Sequence, residues 1–547
     1  MPMRRAHLQL AALAAVPVVV LAVFFVLPVA GMVHRGFVVD GRYDPGAVLE
    51  VLGRARVHRV VRFTLWSSAA ATLIATLLGL PAAFVLHRLD FPGRRLLRVV
   101  VLVPFVLPTV VVGVALRELL GESGPLGGLG LDGTAGAILI GLVFFNVSVV
   151  VRTVGAAWEG LDPRPGEAAA ALGASPWQVL RTVTLPALRP AIVSAASVVF
   201  LFCATAFGIV LTLGGLRYSS VETEIYLLTT QLLDLQAAAA LSIVQLLAVV
   251  LLLALAARLR QVPDPTQRRV VPRPRPVRRS DLPAMAVTAA VVALVVLPML
   301  TLLRGALRVD GHWSLDHFRA LRTTGGDNAL AVPVTEAIAT SWRIAVDATW
   351  MSLTLGVLVA VVVTRRSTGR VERRVRGLLD GFFMLPLGVS AVTLGFGFLI
   401  TLDRPPLDLR DSPLLVPLAQ ALVALPIVVR TLVPVLAGID PRQRQAAASL
   451  GAGPLRAWID VELPVVWRPL LAVAGFAFAV SLGEFGATSF LVRDDRPTLP
   501  VVIVRLLGRP GADNYGMALA ASVVLAVLTG AVMLAVERLR VPSLGVL

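Results

Sequence analysis

Two stretches decide how this chain is read: LDPRPGEAAAALGASPWQVLRTVTLP at residues 161–186 and IDPRQRQAAASLGAGPLRAWIDVELP at residues 439–464. They stand about 278 residues apart, and each follows one apolar run of membrane-spanning length and precedes another. Outward from them the match continues. Arg152 in VVVRTV pairs with Arg430 in IVVRTL, Phe207 and Gly208 pair with Phe485 and Gly486, and VPFVLPTVVVGVAL from Val103 is similar to LPLGVSAVTLGFGF from Leu385. The chain reads as an internal duplication.

Between the copies runs RLRQVPDPTQRRVVPRPRPVRRSDLP, dense in arginine and proline, which favours extended conformations and cannot bury a core. The expected organisation is a first repeat over 1–257, a cytoplasmic linker over 258–282 and a second repeat over 283–547.

Composition sets the solvent. Of 547 residues, 57% are hydrophobic and 15% charged, and the mean hydropathy is +0.84. These values belong to polytopic membrane proteins. A hydrocarbon core of about 30 Å needs roughly 20 apolar residues per helix, because backbone polar groups in lipid must pair within their own segment. By that measure about twelve spans are expected. Six centre near Leu21, Ile74, Val106, Val147, Val199 and Val249, and six near Ala293, Leu355, Val392, Ala424, Ala479 and Leu525. The predicted fold class is an all-α polytopic membrane protein of two six-helix repeats. Because each repeat has an even number of spans, the two run parallel, related by an axis along the membrane normal, with the substrate route between them. Long apolar runs exclude an outer-membrane barrel.

The net charge of +17 comes from arginine alone, since the chain has no lysine. Arginines cluster in short loops at span ends, as in Arg4 and Arg5, in Arg88, Arg94, Arg95 and Arg98, and from Arg365 to Arg376. That is the positive-inside pattern, not a nucleic-acid patch, and it puts both termini in the cytoplasm. Glu222, Glu224 and Asp234, like Asp403, Asp408 and Asp411, are expected in external loops, the two glutamates on a solvated face. The first span is too long for a signal peptide and reads as a retained helix. Cys203, alone within a span, reads as core packing.

No GxxxxGK[ST] phosphate loop occurs, the six histidines and one cysteine form no zinc-like cluster, and no nucleophile stands beside a base. The chain is therefore expected to be no enzyme, with no catalytic residue, metal or cofactor of its own. Energy must come from another polypeptide.

The repeated stretches carry the functional signal. Glu167 to Leu172 is a helix-forming run with small Ala side chains, Gly173 ends it, and a second amphipathic turn is expected from Pro176 to Val183. Ala446, Ala447, Gly451, Pro454, Leu463 and Pro464 repeat the plan. EAA, a Gly four residues after the second Ala, and a following LP resemble the cytoplasmic loop of permease subunits in bacterial ABC importers. The resemblance covers nearly the whole chain and implies the type I importer permease fold in the bacterial inner membrane. It implies that Glu167, Ala168, Ala169 and Gly173, and again Gln445, Ala446, Ala447 and Gly451, form coupling loops. They would dock a separate homodimeric ATPase holding ATP and Mg, while an extracytoplasmic binding protein delivers substrate. Gln445 departs from the family's Glu, so the two loops are expected to be unequal.

The stretch from Phe200 and SLGEFGATSFLVRDDRPTLPVVIVRLLG from Ser481 resemble fused thiamine-importer permeases. Fused iron(III) permeases of the same branch share SLGEFG, which leaves iron(III) as the alternative cargo. Glu484, Phe207 and Phe485 are expected on the substrate path or gate, the other reading of Glu484 being a carboxylate bonded to a neighbour's hydroxyl or backbone. Arg152 and Arg430 are expected to snorkel to the cytoplasmic interface, the other reading being a role at the inner gate. The rival class is a secondary transporter driven by an ion gradient, which needs no ATPase.

Overall fold

The computed structural model describes residues 13–39, 41–215, 217–259, 274–365, 370–403 and 407–539. Most of the expected linker, 260–273, lies outside the described residues. Its far end is anchored: Arg275 and Pro276 pair in parallel with Leu89 and Asp90. The Arg275 guanidinium holds both oxygens of Asp281 at 2.8 and 2.9 Å.

Ten described helices are long and apolar enough to cross a membrane. The third span of each half departs from the expectation of a through-going helix. In the first half, Arg94–Phe105 and Thr109–Leu120 meet at 105°. Pro104 and Pro108 stand at the break, where a missing N–H and a blocked preceding residue end one helix before the next begins. In the second half, Arg370–Phe383 gives way at Pro386 to Ala391–Thr401, whose first turn is capped by Ser390 through the Thr393 N–H at 3.0 Å. Hydropathy averages across such a bend.

The compact units are not the sequence repeats. One comprises Met1–Leu49, Ile225–Leu246 and His317–Leu547, the other Glu50–Glu224 and Leu247–Asp316. In the first unit, the opening helix Leu13–Phe37 packs on Ala391–Thr401 of the second repeat, with Gly397 lying against Pro28. In the other, Arg279–Ala306 packs on Ala55–Arg88 and Thr109–Leu120 of the first repeat. The repeats have exchanged their first helices.

Each unit is built around the same three-helix core. Ala55–Arg88 runs along Ala135–Glu159 with Leu185–Ala204 against both, burying Ala82, Leu86, Val147 and Val151. Val334–Thr364 runs along Leu415–Ala437 with Leu463–Gly483 against both, burying Ala360, Val428, Leu432 and Val473. Close approach needs a residue without a side chain at one point in each. A Cβ at Gly79 would stand 2.6 Å from Val150 Cγ1, and Gly356 meets Val428 in the same way.

Gly79→Ala and Gly356→Ala should therefore each lower the thermal stability of the purified chain, by about 1–3 kcal/mol of overpacking. Gly530→Ala, in open space on Ala512–Leu539, should leave it unchanged or raise it. Equal melting shifts at all three positions would refute this packing.

A buried hydroxyl repeats as well. Thr64 Oγ1 accepts the Val221 N–H at 3.0 Å, and Ser341 Oγ accepts the Leu499 N–H at 2.7 Å. The first of these pins the helix Val221–Thr230, which corrects the expectation of Glu222 and Glu224 on a solvated loop face. Both are buried. Glu224 is neutralised by Arg56, whose Nε and Nη2 donate to its two oxygens.

Candidate coupling site

Asp162 Oδ1 accepts the Arg164 N–H at 3.0 Å, Pro165 sits in the first turn, and the helix Arg164–Ala171 follows. It begins three residues before the expected Glu167, because the turn-forming Asp and the Pro initiate it earlier. It closes on a paired cap: Ala174 N–H donates to Ala169 O at 3.1 Å and Gly173 N–H to Ala170 O at 3.0 Å. This double bond pattern requires a left-handed residue, and Gly173 has φ +89°.

The second loop repeats it almost atom for atom. Asp440 Oδ1 accepts the Arg442 N–H at 2.9 Å and the helix Pro441–Ser449 follows. Ala452 N–H donates to Ala447 O and Gly451 N–H to Ala448 O, both at 3.0 Å, with Gly451 at φ +84°.

The four predicted residues of each loop thus share one short helix and its cap. Glu167 and Ala168 are exposed and Ala169 half-buried; Gln445, Ala446 and Ala447 follow the same order. A Cβ on Gly173 or Gly451 would meet nothing within 4 Å. Beside these glycines stand residues the sequence reading passed over. Leu172 is 90% exposed and Leu450 89%. Trp177 and Leu455, also exposed, repeat at the same offset. Two large apolar side chains held in water on each loop are a cost that contact with another surface would relieve. The shared Leu-Gly of ALGA and SLGA was the available signal.

Each loop then rejoins its span through a wide turn. Pro176–Val179, capped by Ser175 and Gln178, runs into a π-helical turn over Leu180–Thr184 and on into Leu185–Ala204. Pro454–Ala457, a π-helical turn over Trp458–Glu462, and Leu463–Gly483 repeat this. The expected single amphipathic turn is thus two short pieces, the second of a type that recurs at functional sites.

The loops differ in how they are tied down. In the first half, Glu159 before the loop accepts from Arg98 Nη2 at 2.7 Å and lies 3.0 Å from His87 Nδ1. In the second, the carboxylate comes after the loop. Glu462, 3% exposed, lies 2.9 Å from Arg444 Nε on the loop helix and 3.8 Å from Arg365 Nη2 at the end of a span. Gly166 and Thr184 occupy the places of Arg444 and Glu462 in the first copy, so that cross-link has no counterpart there.

The predicted gate residues lie at the opposite ends of these spans from the loops. Leu463–Gly483 has 21 residues, so Glu484 and Phe485 stand about 30 Å from the second loop. Phe207 follows the end of Leu185–Ala204 in the same way. Both phenylalanines are buried. Glu484 takes the hydroxyl-and-backbone arrangement: Oε1 accepts from Ala487 N–H at 2.8 Å, and Oε2 from Thr488 N–H at 3.0 Å and from the Thr488 hydroxyl. Gln420 Nε2 donates to the same Thr488 oxygen at 3.1 Å. The Arg152 guanidinium, expected at the interface, stacks 5.3 Å over the Phe105 ring at the bend of the third span. Arg430 is exposed.

Over residues 75–269, and again over 352–540, the chain matches the family profile described as binding-protein-dependent transport system inner membrane component. It is 29% identical over 497 residues to the thiamine transport system permease protein ThiP of Brucella abortus (strain 2308), covering 88% of this chain and 87% of that one. Against the thiamine transport system permease protein ThiP of Escherichia coli (strain K12) the identity is 28% over 462 residues, covering 82% and 83%. The sulfate transport system permease protein CysT of Escherichia coli (strain K12) is 34% identical over 212 residues, 37% of this chain and 76% of that one.

Proposed function

Because this chain belongs, through both of its repeats, to the family of binding-protein-dependent transport system inner membrane components, we propose that it conducts thiamine across the bacterial inner membrane. It is a fused permease of an ATP-binding-cassette importer, a multi-pass transport component whose partners are a binding protein and an ATPase. The observation that carries the cargo is similarity to thiamine permeases along 88% of the chain, with both repeats included. Iron(III) remains the alternative from the shared SLGEFG stretch.

In this reading the two capped helices face the cytoplasm, as do both termini, and each receives one copy of a homodimeric ATPase that holds ATP and Mg. Leu172 with Trp177, and Leu450 with Leu455, enter clefts on those subunits, where burying apolar area contributes about 25 cal/mol per Å². The doubly bonded caps keep each helix rigid. Closure of the ATPase dimer on ATP displaces them, and the π-helical turns pass the displacement to Leu185–Ala204 and Leu463–Gly483. Nucleotide acts by binding one state of the assembly more tightly than the other. Glu484, tied into its own turn, holds the far end of its span together.

The test is reconstitution in proteoliposomes with the cognate ATPase and binding protein. Labelled thiamine should accumulate only with ATP, and the nucleotide-binding subunit should copurify with the chain. Gradient-driven uptake by the chain alone would instead make it a secondary transporter. Calorimetric titration of the binding protein decides the cargo: binding of ferric ion with no thiamine binding would replace the substrate and leave the importer class standing.

A further inference from the structure

The helix Ala55–Arg88 has 34 residues, about 51 Å, whereas a bilayer core takes about 30 Å. Its Arg88 end lies beside the first loop, where Arg88 Nη1 donates to Trp158 O at 3.4 Å. The surplus is at the other end, which carries Arg56, Arg59 and Arg62 before the apolar run begins at Phe63. Three arginines on the face away from the coupling loop run against the positive-inside bias. They line a cavity of about 480 Å³ together with Arg217, Trp66 and Glu224.

The charges in this cavity do not cancel. Arg56 is committed to the buried Glu224. Arg59, Arg62 and Arg217 are exposed and have no ion-pair partner among the described residues. A cationic cargo would be repelled here, so the cavity suits an anion. The helix itself indicates which anion. Arg59, Arg62, Trp66, Leu73 and Leu77 fall on one face, and the last three are 51%, 61% and 59% exposed. From Trp66 to Leu77 that apolar stripe is about 16 Å long, the depth of one leaflet. Trp at the top of such a stripe sits at headgroup level.

We propose that Arg59, Arg62 and Arg217 bind the phosphate of an anionic phospholipid headgroup in the leaflet remote from the coupling loops, with an acyl chain lying along Trp66, Leu73 and Leu77. Guanidinium groups hold phosphate by paired charge-assisted bonds, and basic pockets at a membrane surface take such headgroups. At the 278-residue offset that relates the two loops, Val334, Ala337, Thr340 and Asp495 stand at the places of Arg56, Arg59, Arg62 and Arg217, so this set of arginines is not repeated.

The test uses the full chain in detergent with dioleoylphosphatidylglycerol or dioleoylphosphatidylcholine added, reading bound lipid by native mass spectrometry and thermal stability in parallel. The wild-type chain should retain phosphatidylglycerol over phosphatidylcholine by about tenfold, and Arg59→Gln with Arg62→Gln and Arg217→Gln should remove the preference. Arg217→Gln alone, in an exposed loop, should weaken it and covers the case of a triple variant that fails to insert. Equal retention of the two lipids by the wild type, or an unchanged preference in the variants, would overturn the proposal. Displacement of phosphatidylglycerol by millimolar inorganic phosphate would also overturn it, assigning the cavity to a soluble phosphate ligand.

Discussion

Gly173→Glu combined with Gly451→Glu is expected to abolish ATP-driven uptake while the chain remains folded and inserted. Both glycines are left-handed, at φ +89° and +84°, and a side chain there costs about 1–2 kcal/mol each. Neither substitution creates a clash, since a Cβ meets open space within 4 Å at both. The strain is therefore local, falling on the cap that holds Ala169 to Ala174 and Ala447 to Ala452. The new carboxylates lie beside Leu172 and Leu450, the most water-exposed apolar side chains of the two loops. Binding of the ATPase should fall with uptake in a copurification assay. Gly173→Ala with Gly451→Ala separates strain from charge and should retain part of the activity. Wild-type uptake in the glutamate pair would remove the loops from the coupling route.

Glu462→Ala carries the second large effect. The carboxylate is buried between Arg444 and Arg365, and removing it leaves two partly desolvated guanidinium groups with no counter-charge. A fully buried pair broken on one side costs about 3–5 kcal/mol. The arginine side chains are 20% and 34% exposed, so a loss of about 1.5–3 kcal/mol is the proper scale. It should appear as a lower melting temperature and as faster amide exchange at Pro441–Ser449. Thr184→Ala, at the equivalent place in the first repeat, should change neither. If exchange at the second loop is unaltered by Glu462→Ala, the ion pair does not hold that loop to its span.

The duplication, ten of the roughly twelve expected spans, and the short helix with its glycine cap in each loop were legible because they rest on local patterns. Apolar runs of fixed length mark helices in lipid, and Gly after an Ala-rich turn marks a left-handed cap. What escaped depended on distance in space. Hydropathy could not see that Pro104 and Pro108 turn the third span by 105°. The acidic pair Glu222 and Glu224 read as loop, because charge in an otherwise apolar chain suggests water, while Arg56 lies 168 residues from its partner. Arg444 and Glu462 stand 18 residues apart with no pattern that links them, and only the fold sets them 2.9 Å apart. The donors around Glu484, the Ala487 and Thr488 N–H groups and the Thr488 hydroxyl, come from the turn that follows it, which a sequence does not show.

The exchange of first helices bears on how the protein is made. Leu13–Phe37 enters the bilayer long before Ala391–Thr401, the helix it packs on, exists. With about 350 residues still to be added at roughly 5–20 residues per second, it waits for tens of seconds. During that interval the face at Gly31 and Pro28, which Thr401 and Gly397 later meet, lacks its partner from that helix. Arg279–Ala306 has no such wait, because its partners in the first repeat are already in place when it is inserted. Biogenesis is therefore directional: the second repeat assembles onto a waiting first helix, and a chain halted at the linker would leave that helix without the partner that meets Pro28, although its Gly36 end already lies against Ala239 and Ile243.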